Sequence, residues 1–238
     1  MTEDTPADAS INPEDGLRYW EGINADDNGM LGGFAYISKV DLQGSRNFLA
    51  KLGIGKKAGL RRVESALEGG AGIGRITQGL LSEIATHIDI VEPISKFTAA
   101  LHDKPGVRTI SNCGLEAWTP SEGTTYDLVW TQWCVGHLTD AQLVEYLVRC
   151  RDALEPEGVI VIKENLSTSG RDAFDEEDSC VTSVGADSSR EDSKYQSLFE
   201  EAGLQIVRME LQRGFPQSKA VTLLPVKMYA LRPKSQNT

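Results

Sequence analysis

From residue 62 onward, apolar positions come in short runs broken by polar or glycine-rich stretches. Residues 63–68, 87–92, 107–111, 126–131 and 159–163 each read as a strand. Between them, residues 76–84, 94–101 and 140–154 read as helices. The last of these is clearly amphipathic, with Leu143, Tyr146, Leu147, Cys150 and Leu154 at helical spacing, and it stops at Pro156-Glu157-Gly158. A further helix is predicted over 193–202 and two final strands over 204–211 and 226–231. The unbroken apolar run Val159-Ile160-Val161-Ile162 fits a sheet covered on both faces. Strand–helix alternation that closes on a β–β pair predicts a three-layer α/β fold around a mostly parallel sheet.

The N-terminal quarter has a different texture. Residues 1–14 are polar, acidic and contain proline, which predicts a disordered tail. Residues 15–60 are expected to form a helical lid with a glycine-rich loop, and residues 61–238 the core of the same domain. The 17–23 segment carries Tyr19 and Trp20, enough apolar surface to dock a short helix. The stretch Asn28-Gly-Met-Leu-Gly-Gly-Phe34 mixes glycines with bulky apolar residues, as a tightly bent but packed loop does. A helix is expected over 38–52.

Charge narrows the function classes. The chain holds 35 acidic and 24 basic residues, a formal net charge of −11 at pH 7. Nucleic-acid binding usually needs a basic surplus to replace condensed counterions, so no nucleic-acid partner is expected. No apolar run approaches the roughly 18 to 20 residues that span a bilayer. The first ten residues lack the basic start and apolar stretch of a signal peptide. Cys113, Cys134, Cys150 and Cys180 are scattered without a C-x-x-C pair, which predicts reduced thiols, a cytoplasmic or nuclear setting, and no metal site.

The strongest motif is Glu68-Gly69-Gly70-Ala71-Gly72-Ile73-Gly74-Arg75, set between a predicted strand and a predicted helix. Ligands of open α/β sheets bind there, where glycines admit a ligand to backbone N–H groups. Glu92 closes the second strand, where an acid commonly accepts hydrogen bonds from ribose hydroxyls. A nicotinamide dinucleotide fingerprint would place its third glycine one residue further on. The G-x-G-x-G core here resembles motif I of class I S-adenosylmethionine-dependent methyltransferases. A glycine-rich turn without a ligand is the alternative.

Four segments make the resemblance narrower: Gly29-Met-Leu-Gly-Gly-Phe34, Gly70-Ala-Gly-Ile-Gly-Arg-Ile-Thr77, Trp130-Thr-Gln-Trp-Cys-Val-Gly-His-Leu-Thr-Asp140 and Val161-Ile-Lys-Glu-Asn165. Over residues 19–233 the chain resembles the protein α-N-terminal methyltransferases, which act on free α-amines of proteins beginning Xaa-Pro-Lys. The resemblance implies a Rossmann-like class I methyltransferase fold, with a mostly parallel seven-stranded sheet, an antiparallel C-terminal strand and added N-terminal helices. It implies S-adenosylmethionine as cofactor, held by Gly70, Arg75, Glu92, Pro93, Ile94, Leu115, Glu116 and Gln132. It further implies Asp178, His137 and Asn165 as catalytic residues, with Leu31, Gly32, Trp133, Asp175 and Trp20 on the peptide. Ribosomal proteins are candidate substrates on the same ground, and a monomer is expected.

Read without that resemblance, these residues stay open. Trp133 can be a core aromatic, His137 a structural histidine, Trp20 a helix anchor, and the Asp175-Glu-Glu-Asp178 run a solvated acidic loop. Two other functions also remain: a small-molecule methyltransferase, or a cofactor-binding protein that has lost catalysis and captures basic protein tails. The sequence departs from the family pattern with Glu92 and Glu164 for aspartates. It also has an apparent insertion at 183–189 and an altered loop at 217–225, with Leu224 in place of a tyrosine. The last two changes fall on the peptide side.

Overall fold

The computed structural model of the chain describes residues 7–168, 172, 175, 178, 190–216 and 223–235. Of the tail expected over residues 1–14, residues 1–6 lie outside the described residues and residues 7–14 are structured. Residues Ala7–Ser10 form a 3-10 turn, and α1 (Pro13–Gly22) follows. The local reason is the Asn12-Pro13 pair. Asn12 is extended and its side chain accepts the Glu14 N–H, while proline at the first helical position needs no donor. Asp8 adds a tertiary tie by accepting the Asp140 N–H at 2.9 Å. Next come α2 (Asp27–Met30), capped by Asp26, and α3 (Ser38–Lys51).

The core strands are β1 (Val63–Gly69), β2 (Ala85–Val91), β3 (Val107–Ser111), β4 (Tyr126–Gln132), β5 (Leu154–Asn165), β6 (Leu204–Leu211) and β7 (Val226–Pro233). They form one seven-stranded sheet in the order β3-β2-β1-β4-β5-β7-β6. Strands β1 to β5 pair in parallel, and β7 runs antiparallel to both its neighbours. The expected helix over 76–84 contains a π-helical turn, Thr77–Leu81, leading into α4 (Ser82–Ile84). Thr77 and Gly79 are weak helix formers, and the Thr77 hydroxyl is drawn inward onto Glu68. The helix expected over 94–101 keeps one turn, α5 (Ser95–Thr98). Strand β5 starts at Leu154, before Pro156, through a register shift against β4.

Helix α6 (Asp140–Asp152) begins with a capping box in which Thr139 and Gln142 satisfy each other's backbone N–H groups. It packs Leu143, Tyr146, Leu147 and Cys150 on one sheet face, where α7 (Asp192–Glu201) adds Tyr195, Leu198 and Phe199. The other face is covered by Phe48 and Leu49 of α3 with Leu80, Leu81 and Ile84. Neighbouring strand residues feed opposite layers: Ala66 and Leu67, Trp130 and Val129, Val161 and Ile162. Strand β1 lies between β2 and β4, so connections leave it in opposite directions. Register puts Gly69 level with Val91 on one side and Thr131 on the other. A crevice at these carboxyl ends is the expected ligand site.

Candidate active site

The glycine loop leaves β1 through Gly70, whose φ of +68° is left-handed. A Cβ there would meet the Cys134 Sγ at 2.3 Å, so both the turn and the close approach require glycine. The N–H groups of Gly70 and Ala71 donate to the Val91 carbonyl at 2.8 and 3.2 Å, fixing the loop to β2. Glu92 holds the other side. Its carboxylate accepts the Gly72 N–H at 2.8 Å and the Ile94 N–H at 2.9 Å. Burial raises the Glu92 pKa, and these two donors oppose the rise. Behind the loop, Glu68 accepts from Thr77, and burial pushes its pKa up to about 8, leaving it protonated at neutral pH.

A cavity of about 320 Å³ opens over this loop. All eight residues expected to hold the cofactor line it: Gly70, Arg75, Glu92, Pro93, Ile94, Leu115, Glu116 and Gln132. Trp20, Trp133 and His137 line it too, and α1 contributes Pro13, Gly16 and Leu17. Leu31, Gly32, Asn165, Asp175 and Asp178 do not. Leu31 is buried, Gly32 is exposed, and Met30 forms that part of the wall instead. The sulfur of Met30 sits where a Cβ on Gly72 would come within 2.7 Å.

Arg75 is oriented by a residue absent from the sequence reading. The fully buried Asp41 of α3 accepts Arg75 Nη1 at 2.7 Å and the Gln132 amide at 3.1 Å. It also pairs with Lys163 Nζ at 2.5 Å. Burial works to raise the Asp41 pKa, but Lys163 and Arg75 outweigh it and hold the carboxyl below its ordinary value. Arg75 also lies over the Trp133 ring, 5.4 Å from its centroid.

Trp133 has a φ of +56°, the one positive value at a non-glycine among the described residues. The chain around it is clamped from both sides. Glu164 accepts the N–H groups of Cys134 and Val135 at 2.8 and 3.1 Å. Burial raises Glu164 to about 7 despite those donors. Buried Arg190 donates to the carbonyls of Val135 and Leu138 and to Asp140. His137 is presented between these anchors. Its Nε2 accepts the Trp20 indole N–H at 3.1 Å and stands 3.8 Å from Asp178 Oδ1. Burial depresses its pKa to about 4, partly countered by Asp175. The imidazole is therefore neutral, with its proton on Nδ1. The Asp178 N–H donates to Asp175 Oδ1 at 3.3 Å, so the two acids and His137 cluster. Asn165 ends β5, opposite Val226.

The cavity wall combines a cation (Arg75), a buried acid (Glu92), apolar faces (Ile94, Phe97, Leu115) and polar edges (Asn112, Glu116, Gln132). That donor set fits S-adenosylmethionine, which carries a carboxylate, ribose hydroxyls and an adenine. The fold and this cleft define a class I S-adenosylmethionine-dependent methyltransferase.

Residues 8–232 match the family model described as AdoMet dependent proline di-methyltransferase. The chain is 44% identical over 227 residues to an alpha N-terminal protein methyltransferase 1 from Schizosaccharomyces pombe, covering 93% of this chain and 96% of that one. It is 38% identical to an N-terminal Xaa-Pro-Lys N-methyltransferase 1 from Danio rerio, covering 84% and 87%. Among solved structures, a SAM-dependent methyltransferase from Leishmania major superposes with a TM-score of 0.78 at 37% identity, covering 92% of this chain and 82% of that one. The chain belongs to the AdoMet-dependent proline di-methyltransferase family, and its cofactor is S-adenosylmethionine.

Proposed function

We propose that this enzyme methylates the free α-amino group of proteins whose N-terminus reads Xaa-Pro-Lys. The names of its relatives support that substrate class. The reading rests on one observation: His137 lines the cofactor cleft and stands 3.8 Å from Asp178. A proton acceptor thus lies next to the place where a methyl donor binds.

When bound, S-adenosylmethionine supplies an electrophilic methyl group on a sulfonium centre. Arg75 and Gln132 take its amino-acid end, Glu92 the ribose, and Leu115 and Glu116 the adenine. Gly70 admits it to the loop, while Pro93 and Ile94 pack alongside. The chain's other residues prepare the nucleophile. An α-amine has a reference pKa of about 7.7 to 8.0 against about 10.4 for lysine, so its neutral form is the more accessible near pH 7. Asp178 accepts the amine proton. His137, its Nε2 occupied by Trp20 and its basicity depressed, borders the amine's approach beside Asp178 rather than acting as the base. Asn165 offers a side-chain oxygen to aim the nitrogen. Trp133 gives the proline a flat wall, Asp175 faces the substrate lysine, and Leu31 and Gly32 border the peptide path. Trp20 and α1 exclude water from the cleft. Acceleration then comes chiefly from positioning.

Mass spectrometry of an Ala-Pro-Lys or Pro-Pro-Lys peptide incubated with the enzyme and S-adenosylmethionine tests this. A mass gain in steps of one methyl group is expected, with none on the N-acetylated peptide. Methylation of the acetylated peptide would overturn the α-amine assignment. The names of the relatives above favour a protein N-terminus over a small-molecule substrate. Ribosomal proteins are the proposed targets, acted on by a monomer in the cytoplasm or nucleus. Among the described residues Cys113, Cys134 and Cys150 are free thiols, which suits those compartments, and no helix is long and apolar enough to cross a membrane. Sedimentation as a dimer would overturn the monomer, and exclusive recovery from a secretory fraction the location.

A further inference from the structure

The buried charges behind the cleft do not balance. Arg75 and Lys163 are two cations, and Asp41 is the one ionised carboxylate they share. Glu68 nearby is protonated at neutral pH, because burial lifts it to about 8. Lys163 comes from β5 and is wholly buried. It forms no part of the cleft wall. Its ammonium is spent inside the protein on Asp41 Oδ1 at 2.5 Å, the Asp41 carbonyl at 3.2 Å, Ser45 Oγ at 3.0 Å and Gln212 Oε1 at 2.9 Å. Burial pulls its pKa down to about 8, so it is charged at neutral pH.

Asp41 divides its two oxygens. Oδ1 meets Lys163 and Oδ2 meets Arg75, with the Gln132 amide bridging both. Among the described residues Arg75 makes a single hydrogen bond, from Nη1. A guanidinium has five N–H donors, so most of its fork remains for a ligand. If Lys163 were neutral, the full charge of Asp41 would fall on Arg75, and the pair would be closed.

We propose that Lys163 is a positioning residue for cofactor capture: by engaging Asp41 it keeps the Arg75 charge available to the carboxylate of the bound ligand. This rests on the assignment of Arg75 to that carboxylate. The part of the Arg75 charge that the Lys163–Asp41 pair leaves free selects a ligand that brings a carboxylate against it.

The test is calorimetric binding of two ligands, S-adenosylhomocysteine and its decarboxylated analogue, which keeps the amine. Wild-type enzyme should bind the intact ligand at least about tenfold more tightly, the scale of one charge-assisted hydrogen bond. Lys163→Gln, which retains hydrogen-bonding capacity toward Ser45 and Gln212, should collapse that ratio toward one while leaving the affinity for the analogue within about threefold. Equal losses for both ligands would mean a purely structural role and overturn the proposal, as would an unchanged ratio. A wild-type enzyme that does not distinguish the ligands would instead sink the Arg75 assignment beneath it. Should Lys163→Gln fail to fold, Lys163→Met removes the same charge without placing a polar group in the core and leaves Asp41 on Arg75 and Gln132. It carries the same expectation, a ratio near one, and a ratio that stays at the wild-type value overturns the proposal.

Discussion

The indole nitrogen of Trp20 donates a hydrogen bond to Nε2 of His137 across 3.1 Å, joining the first helix to the loop after β4. The two rings also meet edge to face, with centroids 6.1 Å apart, and Trp20 packs on Phe97. Lys96 completes the latch by donating to the carbonyls of Glu21 and Ile23. The cover over the cofactor cleft and the orientation of the imidazole are thus one arrangement.

His137 should remain neutral well below pH 6.5, titrating near pH 4. With three histidines in the chain, its imidazole signal is separable by NMR. Trp20→Ala should raise the midpoint toward the ordinary value by admitting water. Because the unfolded chain protonates this histidine at about 6.5 and the folded one does not, stability should fall as pH drops from about 6.5 toward 4. A His137→Gln variant should show a shallower acid-side decline in denaturant titrations. An unchanged slope would rule out the buried neutral imidazole as its source.

Two buried acids act in the opposite direction. Glu68 and Glu164 ionise in the fold near pH 8 and 7, well above the ordinary 4.5. The folded state then holds protons that the unfolded state has released, so stability declines as pH rises from about 4.5 through those values. Melting temperature should decrease between pH 6 and about 9, and Glu68→Gln, which can still accept from Thr77, should flatten that decrease. A steeper slope in the variant would contradict the assignment.

Asp178→Asn should lower kcat by about 10² to 10⁴, the range for loss of a positioned proton acceptor. Binding of S-adenosylhomocysteine should stay within about twofold, since Asp178 lies outside the cleft wall. Comparable loss of cofactor binding and turnover would assign the residue to structure instead.

Trp133 sits in a backbone conformation that costs a bulky residue about 1 to 3 kcal/mol. Trp133→Asn, a residue more tolerant of left-handed φ, should keep the melting temperature close to that of the wild type. It should raise the KM for an Xaa-Pro-Lys peptide by at least about tenfold, through loss of an aromatic wall. A variant that melts much earlier but retains the peptide KM would show the ring to be core packing.

The loop beneath these residues explains why some of the site was readable and some not. Gly70 and Glu92 announce themselves locally, because a left-handed turn demands glycine and an acid at a strand end has a narrow set of uses. All eight residues expected to hold the cofactor line the cleft. The peptide side was less legible. Met30 enters the cleft wall while its neighbour Leu31 is buried, since which face of a short turn points inward depends on what it packs against. Residues 179–189 and 217–222, which include the 183–189 insertion and much of the altered loop at 217–225, lie outside the described residues.

Alternating apolar runs, turn glycines and helix caps determined the order of strands and helices, because these report only whether a position faces water or must bend. Tertiary structure alone decided that Asp41 meets Lys163, 122 residues away, and that the same carboxylate meets Arg75. A lone buried charge leaves no periodic trace in a chain. Its energy depends on partners brought near by the whole fold, so neither its protonation nor its purpose exists until those partners arrive.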